Sequence, residues 1–156
     1  DERTTLMVNV LGVSNGVHAA LSLLKATPGA HIVSMSSSSA IYGVPEEAMY
    51  SASKFAVRAL TEALSLELEP YGIVVCDVMP PIVHTPMVAN QTYVAAVYKN
   101  MKDRGMSAEQ VAEVVWKAAH GRRIHWIPSP EVRHYARATR LSTRLARSIM
   151  KRMASH

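Results

Sequence analysis

The chain has 156 residues, a formal net charge of +5 and an apolar content of 49%. This length falls within the size range of one domain, and the composition excludes a disordered or fibrous chain. The single cysteine, Cys76, lies in an apolar run and is predicted to be a buried core thiol. It excludes an internal disulfide and fits a reducing compartment, so we expect a cytoplasmic protein. No uninterrupted apolar run reaches about 18 residues, which predicts no membrane-spanning helix.

Apolar periodicity and turn residues predict alternating helices and strands. Three short apolar runs predict strands: Ala30–Ser36, Ile73–Met79 and Arg123–Ile127. Four segments predict helices: Thr4–Lys25, Tyr50–Tyr71, the less regular Val88–Arg104, and a helix that starts at a Ser107/Gln110 capping box and ends near Gly121. This alternation is typical of an α/β fold with a parallel sheet.

A serine-rich run at the end of the first strand is followed by Tyr-x-x-x-Lys. Ser37 lies 13 positions before Tyr50, and Tyr50 and Lys54 are spaced to share one helix face. A phenol titrates too high to act as a base at neutral pH, and a neighbouring ammonium lowers that pKa. The three side chains can therefore move a proton on and off an alcohol or carbonyl oxygen. The same spacing at Tyr98 and Lys102 has no strand or serine cluster before it, and we interpret that pair as a solvated helix face.

These motifs closely resemble those of the classical short-chain dehydrogenase/reductase family. The resemblance implies that Ser37, Tyr50 and Lys54 are catalytic, and that Asn9, in an Asn-Val-x-Gly-like run, supports a proton relay with the lysine. The run Pro80-Pro81-Ile82-Val83-His84-Thr85 is similar to the family's Pro-Gly-x-Val-x-Thr, with Pro81 in place of the usual glycine. The cofactor-binding residues implied by the resemblance are Tyr50, Lys54, Pro80, Val83 and Thr85.

The family's glycine-rich run, Thr-Gly-x-x-x-Gly-x-Gly, does not occur in this chain. That run supplies the turn and helix N-terminus on which a dinucleotide pyrophosphate binds. We therefore expect residues 1–130 to be the second half of a Rossmann-type, doubly wound parallel sheet that lacks this N-terminal strand, turn and helix. The residue that would distinguish NAD from NADP is absent for the same reason, so the phosphate of the cofactor stays open.

The resemblance implies an NAD(P)-dependent oxidoreductase that interconverts an alcohol and a carbonyl by hydride transfer. Four apolar residues are predicted to line the substrate pocket, which favours a small hydrophobic alcohol or ketone: Ile41, Met49, Met87 and Val88. We expect a homo-oligomer formed through the helices that carry Asn9 and Tyr50. The alternative is an incomplete or degenerate member of the family without turnover of its own. The seven histidines show no ligand spacing, so no metal site is predicted.

Basic residues are concentrated in the tail, residues 131–156. Between Val132 and Met153, apolar residues recur at three- and four-residue steps and arginines occupy the other positions, which predicts one amphipathic helix. Three interpretations stay open: a solvated helix packed on the domain, a helix on a membrane surface, and a helix that binds a partner. Nucleic-acid binding is disfavoured, because no aromatic residues are interleaved with the charges. The protein is thus predicted to be cytoplasmic, either free or peripheral to a membrane.

Overall fold

The computed structural model describes residues 1–89 and 105–154, so most of the predicted segment Val88–Arg104, with Tyr98 and Lys102, lies outside the described residues. The helices are α1 (Glu2–Leu6), α2 (Gly12–Ala26), α3 (Ala48–Glu67), α4 (Pro86–Ala89), α5 (Ala108–Ala119), α6 (Pro130–Leu141) and α7 (Thr143–Ala154). The strands are β1 (His31–Met35), β2 (Val74–Val78) and β3 (His125–Trp126). A π-helical turn (Met7–Leu11) joins α1 to α2, and 3-10 turns cover Ser38–Ala40 and Glu69–Tyr71.

The three strands form one parallel sheet in the order β1-β2-β3, which confirms the predicted α/β fold. β1 and β2 pair over five residues, from His31 with Val74 to Met35 with Val78. β3 is only two residues long and pairs with the end of β2. Among the described residues, the second edge of β1 has no strand beside it.

Helices cover both faces of this sheet, because alternate residues of a strand point to opposite faces. On one face Val75 is buried with Ala30, Leu68 and Ile73, and residues of α2 and α3 pack against them. On the other face Cys76 and Val78 pack against α5. The predicted buried cysteine is confirmed: Cys76 has no exposed surface, and burial raises the pKa of its thiol to about 11.

One helix start and one helix end lie where the local sequence signals predict them. Ser107 and Gln110 form the predicted capping box, in which each side chain accepts a hydrogen bond from the other residue's backbone N–H. The 3-10 turn after α3 closes at Gly72, whose φ of 70° lies in the left-handed region that glycine adopts readily. These local signals therefore determine where α5 begins and where the chain turns into β2.

The segment from α1 to α2 bears on the prediction of no membrane-spanning helix. Glu2–Ala26 is a helix of 25 residues that is long and apolar enough, by length and composition, to cross a membrane. The segment contains no unbroken apolar run of about 18 residues, and the prediction of no membrane-spanning helix stays a prediction. A helix packed on its own protein meets the same criteria, and this one contacts α3.

The tail corrects one prediction, since Val132–Met153 is not one helix. α6 ends at Ser142, whose extended backbone (φ −160°, ψ 121°) separates it from α7. The Ser142 hydroxyl accepts a hydrogen bond from the Leu145 N–H, as the N-cap residue of a new helix does. A serine side chain can end one helix and cap the next by hydrogen bonding to the backbone. The break therefore needs no change in the apolar period, which continues on both sides of Ser142.

A buried polar network links β2, β3 and α3. Asp77 in the middle of β2 has no exposed surface, and its Oδ1 lies 2.9 Å from Nδ1 of His125. Nε2 of His125 lies 3.1 Å from Oε1 of Glu62, which also accepts a 2.8 Å bond from Arg58. The imidazole thus bridges two carboxyl groups, one buried in the sheet and one on α3.

We predict that His125→Ala lowers the free energy of unfolding by about 1–3 kcal/mol at neutral pH, because it leaves the buried Asp77 carboxyl group without its hydrogen-bond partner. Burial raises the pKa of Asp77, and the hydrogen bond from His125 opposes that rise. A raised folded-state pKa means that stability is present at low pH and is lost as pH rises through that pKa. The loss in His125→Ala should therefore shrink on acidification, when Asp77 is neutral.

Urea unfolding across a series of pH values measures this effect. His120→Ala is the matched control, because its imidazole bonds only to a carbonyl one turn earlier in its own helix. An equal loss in both variants, or a loss in His125→Ala that does not depend on pH, contradicts the proposed role of the network.

Candidate active site

The candidate site lies where the chain leaves β1 and β2. The two strands are parallel, so their carboxyl ends meet at one edge of the sheet, which is where ligands bind in open α/β sheets. Pairing continues past the strands through two backbone bonds of 2.9 Å, from the Ser36 N–H to the Val78 carbonyl and from the Ser38 N–H to the Pro80 carbonyl. The serine loop and the proline loop are thereby held side by side.

Ser37 and Tyr50 are brought together as the sequence predicted. Ser37 has an extended backbone and caps the 3-10 turn that follows, accepting a 3.1 Å bond from the Ser39 N–H. Its hydroxyl also lies beside the phenol of Tyr50, in the first turn of α3, and acts to lower the pKa of that phenol. Tyr50 keeps 36% of its surface exposed, so its phenol can still meet a ligand.

Lys54 lies on the same face of α3 as Tyr50, one turn further along. Its Nζ is 5.5 Å from the centre of the Tyr50 ring and donates a 3.0 Å hydrogen bond to the carbonyl of Met35 at the end of β1. Burial lowers the pKa of this ammonium. The Ser36 hydroxyl donates a 3.2 Å hydrogen bond to the Lys54 carbonyl. The end of β1 and α3 thus each donate one hydrogen bond to the other.

The pKa of Tyr50 shifts opposite to the direction predicted. Burial raises it, the neighbouring Ser37 hydroxyl lowers it, and the negative charge of Glu47 raises it further. Lys54 does not offset these effects, because its ammonium is 5.5 Å from the ring and donates to a carbonyl. The net effect raises the pKa of the phenol, which favours its protonated form at neutral pH.

Asn9 lies in the π-helical turn between α1 and α2, across from α3. Its Nδ2 donates a 3.0 Å hydrogen bond to the Ser53 hydroxyl, which in turn donates a 2.7 Å bond to the Tyr50 carbonyl. The structure therefore joins Asn9 to the backbone of Tyr50 through Ser53. The predicted relay with Lys54 stays a prediction.

The predicted cofactor loop follows β2. The carbonyl of Pro80, which is buried, accepts the bond from Ser38, and Val83 forms a parallel bridge with Met106. The loop forms with Pro81 in the position of the family's glycine, and all of its described peptide bonds are trans. Thr85 lies at the start of α4, where its carbonyl accepts a 3.1 Å bond from the Val88 N–H.

The four predicted substrate residues differ in exposure. Ile41 is buried, whereas Met49 and Val88 are half-buried. Met87 lies within α4, but its side chain is outside the described part of the structure. Their role in substrate binding stays a prediction.

Sequence reasoning missed the polar groups that fix α3 against the serine loop. The Ser51 hydroxyl accepts a 3.0 Å bond from the Val44 N–H, and Arg58 donates a 3.3 Å bond to the Ala40 carbonyl. Sequence reasoning also missed Glu47, which lies three residues before Tyr50 and whose own pKa is raised by burial. The one available signal was the Glu46-Glu47 pair directly before the tyrosine helix.

Comparison with known proteins identifies the family. Residues 2–95 match the family described as short chain dehydrogenase, which is more than half of the chain. The chain belongs to the short-chain dehydrogenase family. The matched range contains all of the predicted site residues, from Asn9 to Val88.

Curated relatives of this short-chain dehydrogenase act on several kinds of compound, as their names state. The chain is 39% identical over 83 residues to a 3-ketodihydrosphingosine reductase of Bacteroides thetaiotaomicron, covering 53% of this chain and 31% of that protein. It is 35% identical over 115 residues to a 3-dehydrosphinganine reductase of Danio rerio, covering 72% and 35%. It is 40% identical over 82 residues to a 3-alpha-(or 20-beta)-hydroxysteroid dehydrogenase of Mycobacterium bovis, covering 53% and 32%. The chain thus spans about a third of these relatives.

Solved structures share the fold. A short chain dehydrogenase from Burkholderia cenocepacia in complex with NADP superposes with a TM-score of 0.81 at 23% identity, covering 96% of this chain and 59% of that one. A relative from Mycobacterium paratuberculosis bound to NAD gives a TM-score of 0.69 at 28% identity, covering 81% and 54%. The sheet and helices described above are therefore those of this family's Rossmann-like fold.

We predict that Glu47→Gln lowers the pKa of Tyr50, because it removes a negative charge that disfavours the phenolate. The phenol should then ionise at lower pH, and a reduction that needs it protonated should fail at lower pH too. The ultraviolet absorbance of tyrosinate, recorded with and without Tyr50→Phe to isolate this residue, measures the shift. Glu46→Gln, next to it in the chain, is the control, and an unchanged Tyr50 titration in Glu47→Gln contradicts the coupling.

Proposed function

We propose that the protein is an NAD(P)-dependent oxidoreductase that interconverts an alcohol and a carbonyl, with Tyr50 as the acid or base. The observation that carries the proposal is the placement of the Ser37 hydroxyl beside the Tyr50 phenol at the carboxyl edge of the sheet. Family membership and relatives named as reductases and dehydrogenases support the reaction class.

In the direction of reduction, Tyr50 gives its proton to the substrate oxygen. Its raised pKa keeps that proton in place at neutral pH, and the Ser37 hydroxyl orients the oxygen by hydrogen bonding. In oxidation the same groups act in reverse: Tyr50 takes the alcohol proton as the phenolate, a form that its raised pKa disfavours at neutral pH. Asn9 steadies the tyrosine backbone through Ser53.

Several side chains have the right chemistry to hold a nicotinamide nucleotide. Lys54 offers ammonium donors beside Tyr50, and Thr85 offers a hydroxyl on the neighbouring loop, so both suit ribose and amide oxygens. Pro80 and Val83 hold that loop in place, through the hydrogen bond from Ser38 and the bridge with Met106. The bound cofactor would supply or accept the hydride, and NAD and NADP both occur in the solved relatives.

The proposed substrate is a small hydrophobic alcohol or ketone. Relatives are named for reducing 3-ketodihydrosphingosine and for oxidising hydroxysteroids, which are both largely apolar. The predicted pocket residues Ile41, Met49, Met87 and Val88 are apolar as well. Apolar side chains favour such a substrate because its burial removes apolar surface from water.

Tyr50→Phe tests the proposal in a form that also carries a glycine-rich, dinucleotide-binding half before Asp1. Loss of general acid–base catalysis typically costs about 10²–10⁴-fold in rate, and we expect kcat to fall within that range. Tyr71→Phe is the matched control, since this exposed tyrosine contacts Lys25 far along the chain from the motif. Equal kcat in Tyr50→Phe and its parent would contradict the assignment of Tyr50 as the acid or base.

We also propose that the protein assembles with copies of itself through the helices that carry Asn9 and Tyr50. Large apolar side chains are exposed along the first of these helices, at Leu6, Met7, Val8 and Leu11. Phe55 and Leu66 are exposed on the second. Contiguous exposed apolar surface of this kind marks an interaction site.

Val8→Glu should therefore shift the protein toward monomer in sedimentation, because a charge would be buried in the contact. Trp116→Glu, at an equally exposed apolar position on α5, should leave the association unchanged. If both variants associate as the parent does, the helical turn that carries Val8 and Asn9 is not part of the contact.

A further inference from the structure

The turn between α6 and α7 exposes two leucines. Leu141, the last residue of α6, keeps 85% of its surface exposed, and Leu145, in the first turn of α7, keeps 46%. Single exposed leucines are common on protein surfaces. These two differ from such cases because both lie at one helix junction that Ser142 fixes by capping.

The two helices pack on each other, but Leu141 and Leu145 lie outside the contact between them. α6 and α7 are in contact, and Ala146 and Met150 of α7 are buried. The buried positions recur at a four-residue step, which places them on one face of the helix. Leu145 is adjacent to that face but remains half outside it, and Leu141 lies beyond it.

Positive charge surrounds the leucines. Arg140 and Arg144 immediately precede Leu141 and Leu145, and Arg137 and Arg147 lie within one further helical turn. All four arginines are exposed. The sequence from Val132 to Ala154 contains no aspartate or glutamate, and the one acid of these two helices, Glu131, lies in the first turn of α6.

We propose that this junction is a membrane-binding element whose partner is the surface of an anionic phospholipid bilayer. The arginines are complementary to lipid phosphates, and the leucines would enter the boundary between headgroups and acyl chains. Nucleic acid would satisfy the arginines equally well but would leave the leucines in water. The inference is independent of the proposed reaction, because none of these residues belongs to the candidate active site.

Flotation of the whole chain with vesicles tests the proposal, with phosphatidylcholine alone compared with phosphatidylcholine containing phosphatidylglycerol. The protein should bind only the anionic vesicles and should be released as salt rises, because salt screens exposed charges. Arg140→Gln with Arg144→Gln should weaken binding roughly 25-fold, at about fivefold for each arginine. Leu141→Gln should weaken it by about tenfold, since its side chain would no longer be removed from water.

Two control variants match these changes elsewhere on the surface. Lys117→Gln with Arg122→Gln removes two exposed charges, and Ile124→Gln removes an exposed aliphatic side chain. Each should change vesicle binding by no more than about twofold, because none of these residues lies at the junction between α6 and α7.

Several outcomes would overturn the proposal. They are equal binding to both kinds of vesicle, no binding to either, and losses in the control variants as large as those in the junction variants. Binding to a DNA duplex that depends on Arg140 and Arg144 but not on Leu141 would assign the surface to nucleic acid instead. Circular dichroism verifies that each variant is folded.

Discussion

The parallel pairing of β1 with β2 is the constraint on which the candidate site depends. It continues through Ser36 and Ser38, so the serine loop leaves the sheet directly beside Pro80. α3 is then bonded to the end of β1 through Ser36 and Lys54. Tyr50 has little freedom to lie anywhere except against Ser37, because both elements that carry these residues are fixed to the same strand end.

The sequence predicted what depends on short-range patterns. The strands, the capping box at Ser107, the buried Cys76 and the pairing of Ser37 with Tyr50 all follow from residues within about one element of each other. Strand ends were less predictable, because the apolar run at the end of β2 continues into the loop that carries Pro80. The break at Ser142 was missed because the apolar period is preserved on both sides of it.

Other features could not be predicted because they depend on long-range contacts. Asp77 and His125 are 48 residues apart, and only the sheet register makes them neighbours. The direction of the Tyr50 pKa shift depends on how deeply the phenol is buried and on where the lysine points. Spacing predicts that two groups share a helix face, but it does not determine the competing partner of each group.

The reactivity of Cys76 reports on separation of the sheet from α5. It is the one cysteine of the chain, it has no exposed surface, and its pKa of about 11 leaves little reactive thiolate at neutral pH. Its neighbours come from both the central strand and α5, so a reagent reaches it only when those layers separate. The rate at which a thiol reagent labels the folded protein therefore reports how often the sheet and α5 come apart.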